Sequence, residues 1–342
     1  MTKRLVECVP NFSEGKDRSI IDSIVQPIKD NDAVSLLDID MGADFNRTVV
    51  TIVGDPEEVL QTVIQCTGVA LGLIDMRNHT GEHARIGAVD VVPFIPISGV
   101  SMSECVELSR RYAISVSQQH SLPVYLYANS ASSEQRVRLP DIRKGEYEGL
   151  SEKIISEEWL PDYGPALFMP TMGATATGAR SLLIAYNVNL NTDDKSKANS
   201  IASTIRTSGS IVKNEDGVTE RDEYGKPIRN PGIFKSLQAA GWMYDDETAQ
   251  VSMNLLDYSV TGLHHVTDAI REEASKVGLE VVAGELVGLV PLEAMLSAGR
   301  HYNSGNQANN ETLVQQAIVG LMLDKLDEFD PNENIIEWAM LE

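Results

Sequence analysis

Residues 48–97 read TVVTIVGDPEEVLQTVIQCTGVALGLIDMRNHTGEHARIGAVDVVPFIPI. Residues 48–53 and 89–97 are apolar and rich in β-branched side chains, which predicts two buried strands. Between them, Asp55 and Pro56 are followed by two acids, a sequence typical of a helix start because it supplies a cap, a fixed φ and negative charge. The stretch therefore predicts a strand, a helix to about residue 73, a turn and a second strand.

The same order of elements recurs in both halves of the chain. Strands are predicted at residues 5–9, 34–39, 48–53, 89–97 and 122–128, and in the second half at residues 181–190, 234–243, 249–256, 281–282 and 286–292. Helices are predicted at residues 19–29, 55–73, 101–119, 193–205 and 260–277. The order β-α-β-β-α-β predicts an α+β fold of two ferredoxin-like subdomains in tandem, with helices on one face of each sheet. We expect domains at residues 1–179 and 180–342.

Two segments do not fit this order. Residues 136–178 are rich in proline and glycine but too long and too aromatic for a flexible linker, so we expect them to line a ligand cleft between the halves. Their end, GATATGA, lacks the Lys-Ser/Thr of a phosphate-binding loop. Residues 208–231 are polar and contain glycine and proline, which predicts an exposed loop.

Composition excludes several functions. The 342 residues carry a formal charge of -22, which argues against nucleic-acid binding because a phosphate-tracking surface needs excess Lys and Arg. The three cysteines form no C-x-x-C pair, as expected in a reducing compartment. We find no signal peptide and no apolar stretch of about 20 residues, so we expect a cytoplasmic protein that does not enter the membrane.

The turn at residues 75–88 concentrates titratable groups. His79 and His83 match the H-x-x-E-H spacing of a zinc-protease helix, but Gly81 and Gly87 disfavour the continuous helix that zinc would require. We therefore expect no metal. A structural role is favoured for His79, whereas the residues alone leave catalytic and structural roles equally open for His83.

Several separated motifs together resemble one enzyme family. They include VECVPNFSEG (6–15), NRTVVTIVG (46–54), LPDIRKGEYEGL (139–150), GATATGARSLLIAYNVNL (173–190) and AQVSMNLLDYSVTGLH (249–264). In this order, over nearly the whole chain, they resemble glutamate formimidoyltransferase, the formiminotransferase domain of formimidoyltransferase-cyclodeaminase. We expect no cyclodeaminase domain, because a chain that ends at Glu342 has no room for one.

This resemblance implies a function and a site. The implied reaction transfers a formimidoyl group between 5-formimidoyltetrahydrofolate and L-glutamate in histidine breakdown, with the tetrahydrofolate derivative as a substrate and no metal. It also implies a folate tunnel between the subdomains, a homodimer, and His83 as the catalytic histidine. The implied folate-binding segment comprises Gly164, Pro165, Ala166, Leu167, Phe168, Met169, Pro170, Thr171, Met172 and Gly173.

The implied chemistry requires carboxylates near the histidine. A single imidazole such as His83 can deprotonate the amine of glutamate and return a proton to the leaving folate nitrogen. The protonated amidine is cationic and favours a carboxylate, for which Asp40 is the first candidate, followed by Glu82 and Asp90. Alternatively, Asp40 caps a turn and Asp90 pairs with Arg85.

The carboxylates of glutamate and of the folate tail require cations. Arg47, Arg85 and Arg180 are candidates by position, and each can instead form a surface ion pair. Two other functions remain open from the sequence. One is formyl transfer from 5-formyltetrahydrofolate to glutamate, and the other is a folate-binding module without turnover.

Overall fold

A computed structural model describes residues 3–214, 216–305, 308–326 and 328–339. It is a mixed α/β structure, and the chain divides between Ser181 and Leu182 into two compact parts, called here the first and second units. Within the described residues, no helix is long and apolar enough to cross a membrane.

The first unit contains one mixed sheet and its covering helices. Its strands are β1 (Leu5–Cys8), β2 (Asn11–Phe12), β3 (Val34–Gly42), β4 (Arg47–Gly54), β5 (Val89–Ser98), β6 (Val124–Ala128) and β7 (Thr175–Ala179). Its helices are α1 (Arg18–Ile24), α2 (Gln26–Lys29), α3 (Pro56–Leu73), α4 (Met102–His120), α5 (Leu139–Arg143) and α6 (Glu146–Lys153). Short 3-10 turns cover Met76–Asn78, Glu134–Arg136 and Glu157–Trp159.

Strands β1 and β2 together form the central position of this sheet. Both lie between β4 and β5 and pair with them antiparallel. Pro10 separates them because it has no backbone N–H for the ladder, although its carbonyl still accepts from Val50 N at 3.0 Å. Strand β3 pairs with β4 at one side, and β7 and β6 extend the sheet in parallel beyond β5.

The main helices begin where the sequence indicates. The Asp55 side chain accepts from Glu57 N at the start of α3, with proline in the first turn. Ser101 and Glu104 form a reciprocal capping box at the start of α4. These local bonds satisfy the first N–H groups of two long helices, which pack on the sheet through a core that includes Val6, Ile52 and Phe94.

Helices cover both faces of the sheet, so the prediction of helices on one face is wrong for the first unit. Alternate residues of β6 belong to different cores: Val124 and Leu126 pack with α3 and α4, while Tyr125 and Tyr127 pack in a second cluster with α5 and α6. Because side chains alternate across a strand, these clusters lie on opposite faces. The segment predicted as irregular therefore contributes two short helices and β7.

A buried ion pair holds this segment in place. Arg136 pairs with Asp162 at 2.8 Å, and both side chains are buried. Arg136 also donates to the carbonyl groups of Glu158 and Leu160. The guanidinium thus supplies hydrogen-bond donors to carbonyl groups that no regular element pairs. These bonds explain how a proline- and glycine-rich segment adopts a defined path.

The second unit contains a four-stranded antiparallel sheet. The strands of this unit are β8 (Ile184–Leu190), β9 (Ser210–Ile211), β10 (Arg229–Asn230), β11 (Leu237–Met243), β12 (Ala249–Leu255) and β13 (Val281–Val287). Its helices are α7 (Lys195–Ile205), α8 (Leu263–Lys276), α9 (Leu292–Tyr302), α10 (Asn310–Leu321), α11 (Pro331–Asn334) and α12 (Ile336–Ala339). The sheet order is β11-β12-β8-β13, and among the described residues β9 pairs with β10 alone.

The polar segment at residues 208–231 projects from the second unit. Its ends pair as the short strands β9 and β10, and most of its described residues are exposed. Tyr224 is 79 % exposed. The segment is thus an exposed excursion, as its composition indicates, rather than part of the sheet that packs against α7 and α8.

The buried carboxyl of Glu7, on β1, predicts a pH-dependent stability. Burial raises the pKa of Glu7 to about 7, against a smaller opposing effect of Arg180. A raised carboxyl pKa gives full stability below the unfolded value of 4.5 and loses it as the pH rises through 7. Glu7→Gln should therefore stabilise the protein by about 3 kcal/mol at pH 8 and by little at pH 5.

Thermal melts of wild type and variant at the two pH values provide the measurement. The control is Glu107→Gln, on the exposed surface of α4. It should shift the melting temperature by a small amount that is the same at both pH values. An equal effect of Glu7→Gln at pH 5 and pH 8 would contradict the interpretation.

Candidate active site

The histidine turn lies directly against the predicted folate segment. Met76 N donates to Thr171 O at 3.0 Å, and Ala88 N donates to Met172 O at 2.8 Å. In the opposite direction, Ala174 N donates to Ile86 O at 3.0 Å. The two segments that the sequence singles out are therefore joined by backbone hydrogen bonds.

Two glycines permit this approach. Gly87 and Gly173 form an isolated antiparallel bridge. A Cβ atom on Gly173 would lie 2.2 Å from Ile86 O, and one on Gly87 would lie 2.2 Å from Ala174 O. Gly173 also has a φ of +69°, which glycine adopts without strain. Residues with side chains cannot occupy either position without separating the two segments.

His79 supports the turn. Its side chain is buried, and its Nε2 lies 2.8 Å from Asn46 O, while Nδ1 accepts from Arg85 Nε at 3.3 Å. No helix spans the described residues from His79 to His83, so the zinc-protease arrangement is not formed. Among the described residues, no group of three potential metal ligands is assembled.

His83 has a different environment. Its Nε2 lies 2.5 Å from Nη1 of Arg47, and its buried Nδ1 has no hydrogen-bond partner among the residues that the structure describes. The pKa of His83 is lowered to about 4, chiefly by burial and also by the charges of Arg47 and Arg143, against the opposing effect of Asp90. Because a guanidinium only donates, the neutral imidazole accepts from Arg47 at Nε2 and carries its proton on Nδ1.

Asp90 lies at an irregularity in β5. The pairing register between β2 and β5 shifts at Asn11 and Phe12, which leaves Asp90 between their two partners. Such bulges redirect a side chain beside active sites. The Asp90 carboxylate accepts from Ile86 N at 2.9 Å and pairs with Arg143, at the end of α5.

The suggested pairing of Asp90 with Arg85 is therefore wrong. Arg85 is buried and pairs instead with two glutamates of α6, Glu148 at 2.5 Å and Glu146 at 2.9 Å. The N–H groups of the Arg85 guanidinium are therefore already hydrogen-bonded to Glu146, Glu148 and His79. A cavity of about 400 Å³ lies at this ion pair and is lined by Thr80, Gly81, Arg85, Gly145, Glu146 and Glu148.

The other predicted residues, Asp40, Glu82 and Arg180, lie on different elements of the first unit. Asp40 is exposed on β3, whose pairing with β4 places it near Arg47, and its charge acts on that arginine. Glu82 is exposed on the turn. Arg180 follows β7, where its backbone N donates to Phe94 O and its Nη1 to Ser181 O. Its described hydrogen bonds thus connect it to neither His83 nor Arg47.

The predicted folate segment, residues 164–173, presents apolar surface beside this site. Leu167 is 58 % exposed, and the Phe168 ring packs against Tyr147 with a centroid separation of 5.4 Å. The Tyr147 hydroxyl donates to Pro170 O at 2.5 Å, which fixes the segment to α6. Gly164 begins the segment with a φ of +81°. A planar aromatic ligand would find stacking surface here.

Sequence reasoning missed two residues of the site. Arg143 acts on His83 and pairs with Asp90, and its only signal was its place in the motif LPDIRKGEYEGL. Asn46 joins three segments: its Oδ1 accepts from Gly15 N at 3.0 Å, and its Nδ2 donates to Thr80 O at 2.9 Å. Its φ of 47°, which asparagine tolerates better than most residues, was not visible from the sequence.

His83 is thus a half-buried, neutral histidine that contacts Arg47 and lies where two loop segments meet, which makes it a candidate acid–base group. Comparison with known protein families identifies the family to which the chain belongs. The family described as "Formiminotransferase domain, N-terminal subdomain" matches residues 5–180, and "Formiminotransferase domain" matches residues 185–341. The chain therefore belongs to the formiminotransferase family.

Individual relatives agree with this family. The chain is 44 % identical to formimidoyltransferase-cyclodeaminase of Rattus norvegicus over 98 % of its own length and 60 % of the relative. It is 39 % identical to glutamate formimidoyltransferase of Streptococcus pyogenes and of Thermoplasma acidophilum, over 87 % of its own length and 93 % and 92 % of theirs. The chain thus spans about three fifths of the cyclodeaminase relative.

Substitution of Gly173 tests the junction. Gly173→Ala introduces both a strained φ and a collision with Ile86 O, so we expect the melting temperature to fall by about 5 °C or more. The control is Gly72→Ala, in α3, where a Cβ meets nothing within 4 Å. It should leave the melting temperature unchanged or raise it. Equal melting temperatures for the two variants would contradict a close approach at Gly173.

Proposed function

We propose that this protein transfers a formimidoyl group between 5-formimidoyltetrahydrofolate and L-glutamate. The observation that carries the proposal is the neutral His83, in contact with Arg47 and on a turn hydrogen-bonded to residues 164–173. The names of relatives from Streptococcus pyogenes and Thermoplasma acidophilum, glutamate formimidoyltransferase, support the same reaction.

His83 supplies the base. The amine of glutamate is an ammonium near neutral pH and must lose a proton before it can attack. With a pKa of about 4, His83 is neutral there, but Arg47 occupies its Nε2. A substrate carboxylate that binds Arg47 would draw the guanidinium away and release the Nε2 lone pair. In this proposal, substrate binding itself exposes the base.

The transfer then moves two protons off the glutamate nitrogen and one proton onto folate N5. After the first proton has gone to His83, the free amine attacks the formimidoyl carbon, and a bond forms from the glutamate nitrogen to that carbon. The glutamate nitrogen then loses its second proton to solvent, and the bond from carbon to folate N5 breaks. The protonated His83 returns its proton to N5. The amidine is cationic during transfer, and Asp40, exposed on β3 near Arg47, remains our candidate to stabilise it. Asp90 is less suitable because Arg143 and Ile86 N occupy its carboxylate.

Residues 164–173 are proposed to hold the folate. Exposed Leu167 and the Phe168–Tyr147 pair offer apolar contacts close to the histidine turn. Arg47 is our candidate for a glutamate carboxylate, and Arg180 remains one for the folate tail. We do not propose Arg85 for either carboxylate, because its guanidinium already pairs with Glu146 and Glu148.

We also propose a subdomain fold, an oligomeric state and a cellular location. The strand orders β3-β4-β1-β5 and β11-β12-β8-β13 support ferredoxin-like subdomains, which we assign to residues 1–179 and 180–342. The first of these would carry the catalytic histidine. We further propose a homodimer in the cytoplasm that needs no metal for transfer.

Replacement of His83 tests the function. His83→Ala should lower transfer from 5-formimidoyltetrahydrofolate to glutamate by about 10²-fold or more, because the base is lost, while folate binding persists. The control is His120→Ala, at the end of α4, which should retain full activity. Assays with 5-formyltetrahydrofolate determine which donor is preferred. Full transfer by His83→Ala would refute the mechanism.

Replacement of Arg47 tests the electrostatics. Arg47→Met removes a positive charge that lowers the pKa of His83, so that pKa should rise towards its ordinary value of 6.5. Since the neutral imidazole is the active form, the acid limb of the kcat/KM profile should move to higher pH. The control, Arg110→Met on the exposed surface of α4, should leave the limb in place. An unmoved limb in Arg47→Met would contradict the assignment.

A further inference from the structure

Arg143 reaches the candidate site from a very short helix. Helix α5 spans only the five residues Leu139–Arg143, and the chain leaves helical geometry at Lys144, where ψ is 125°. The last carbonyl groups of an α-helix have no partner within the helix, and a helix of about one turn is not stable in isolation. The position of Arg143 therefore depends on bonds from outside α5.

Lys153, the last residue of α6, supplies such bonds. Its Nζ donates to Asp141 O at 3.0 Å, to Ile142 O at 2.6 Å and to Lys144 O at 3.0 Å. An ammonium group has three N–H donors, so each of them has an acceptor here. Two of these carbonyl groups precede Arg143 in the chain and one follows it. A single side chain thus holds the backbone on both sides of Arg143.

The Lys153 ammonium is itself held against a fixed aromatic ring. Its Nζ lies 3.9 Å from the centroid of the Trp159 ring, within the range of a cation–π interaction. The carbonyl of Trp159 accepts from the Tyr125 hydroxyl at 2.8 Å, and Tyr125 belongs to β6. Lys153 therefore connects the end of α5 to a residue that is anchored on the sheet.

The Lys153 amine keeps its charge near neutral pH. Its pKa is lowered to about 8, chiefly by burial and also by the charges of Lys144 and Arg136, against the opposing effect of Asp141. At pH 7 most molecules therefore carry the ammonium with all three donors. A role as a nucleophile is disfavoured, because the lone pair is protonated and the N–H groups already have acceptors.

Arg143 transmits its position to the histidine turn. Its guanidinium pairs with Asp90, and the Asp90 carboxylate also accepts from Ile86 N at 2.9 Å in that turn. The buried Nε of Arg143 has no hydrogen-bond partner among the described residues. The Asp90 pair and the backbone of α5 therefore set where this guanidinium lies. A displaced α5 end would move a positive charge away from Asp90 and His83.

We propose that Lys153 is a positioning residue for the candidate site. Its ammonium fixes the end of α5, α5 places Arg143, and Arg143 holds the Asp90 carboxylate that bonds to the histidine turn. Lys153 thus acts through Arg143 rather than by contact with a substrate. The inference rests on the proposed function where it treats His83 as the base, whereas the effect of Lys153 on His83 can be measured without any turnover.

The experiment measures the pKa of His83 in the full-length protein. NMR of protein with isotope-labelled histidine follows the imidazole resonances with pH, and His83→Ala identifies the resonance of His83. The variants are Lys153→Met and, in parallel, the polar Lys153→Gln. The control is Lys144→Met, which removes an equal charge from an exposed side chain of the same segment. Circular dichroism and melting curves verify that each variant is folded.

Release of Arg143 should raise the pKa of His83 by about one pH unit in both Lys153 variants. The displaced guanidinium no longer opposes protonation, and Asp90, freed of its partner, favours the imidazolium more strongly. The acid limb of the kcat/KM profile should move by the same amount, and Lys144→Met should leave both quantities in place. An unchanged pKa in the Lys153 variants would overturn the inference. An equal rise in Lys144→Met would also overturn it, by assigning the effect to net charge.

A double-variant cycle tests the route through Arg143. Arg143→Gln removes the charge, leaves a donor for Asp90 and should itself raise the pKa of His83. Lys153→Met added to Arg143→Gln should raise it little further, because residues that act through one another are not additive. Two full, additive shifts would overturn the route. If Lys153→Met raises the pKa but the wild type transfers no formimidoyl group, the proposed function fails while the positioning role stands.

Discussion

The close passage of two backbones at Gly87 and Gly173 determines the site. Where they cross, each glycine leaves room for a carbonyl of the other segment, and hydrogen bonds join the histidine turn to residues 164–173. Without that approach, His83 would lie on one loop and the apolar surface at Phe168 on another, with nothing to set their distance. The geometry of the candidate site therefore depends on two residues without side chains, because only glycine at these positions allows the two segments to approach so closely.

Much of the fold was predictable because it depends on local rules. The α3 start at Asp55 follows from capping, and the strands that flank it follow from apolar patterning. The helices α5 and α6 were not predicted, since they are short and gain their stability by packing against Tyr125 and Tyr127 across the sheet. Strand β7, with the sequence TATGA, carries no periodic signal because its residues are small and every one is buried.

The candidate site was predictable only in part, because several of its residues interact with partners that are far away in the sequence. Glycines in the turn already argued against a metal-binding helix, and the family resemblance pointed to His83. The sequence alone could not show that Arg143 pairs with Asp90, because 53 residues separate them. It also could not decide the role of Arg85, since an arginine beside a histidine is equally consistent with binding a substrate and with supporting the fold, and its contacts with Glu146 and Glu148 favour the second role.

The ion pair at Arg85 affects which charged molecules can approach the neighbouring cavity. One guanidinium meets two carboxylates, so the rim of the adjoining cavity carries a net negative charge. An anion that approaches from this side meets a repulsive potential before it reaches the histidine turn, whereas cations are drawn in. The substrates proposed above, glutamate and folate, are both anionic, so this side of the cavity would repel them.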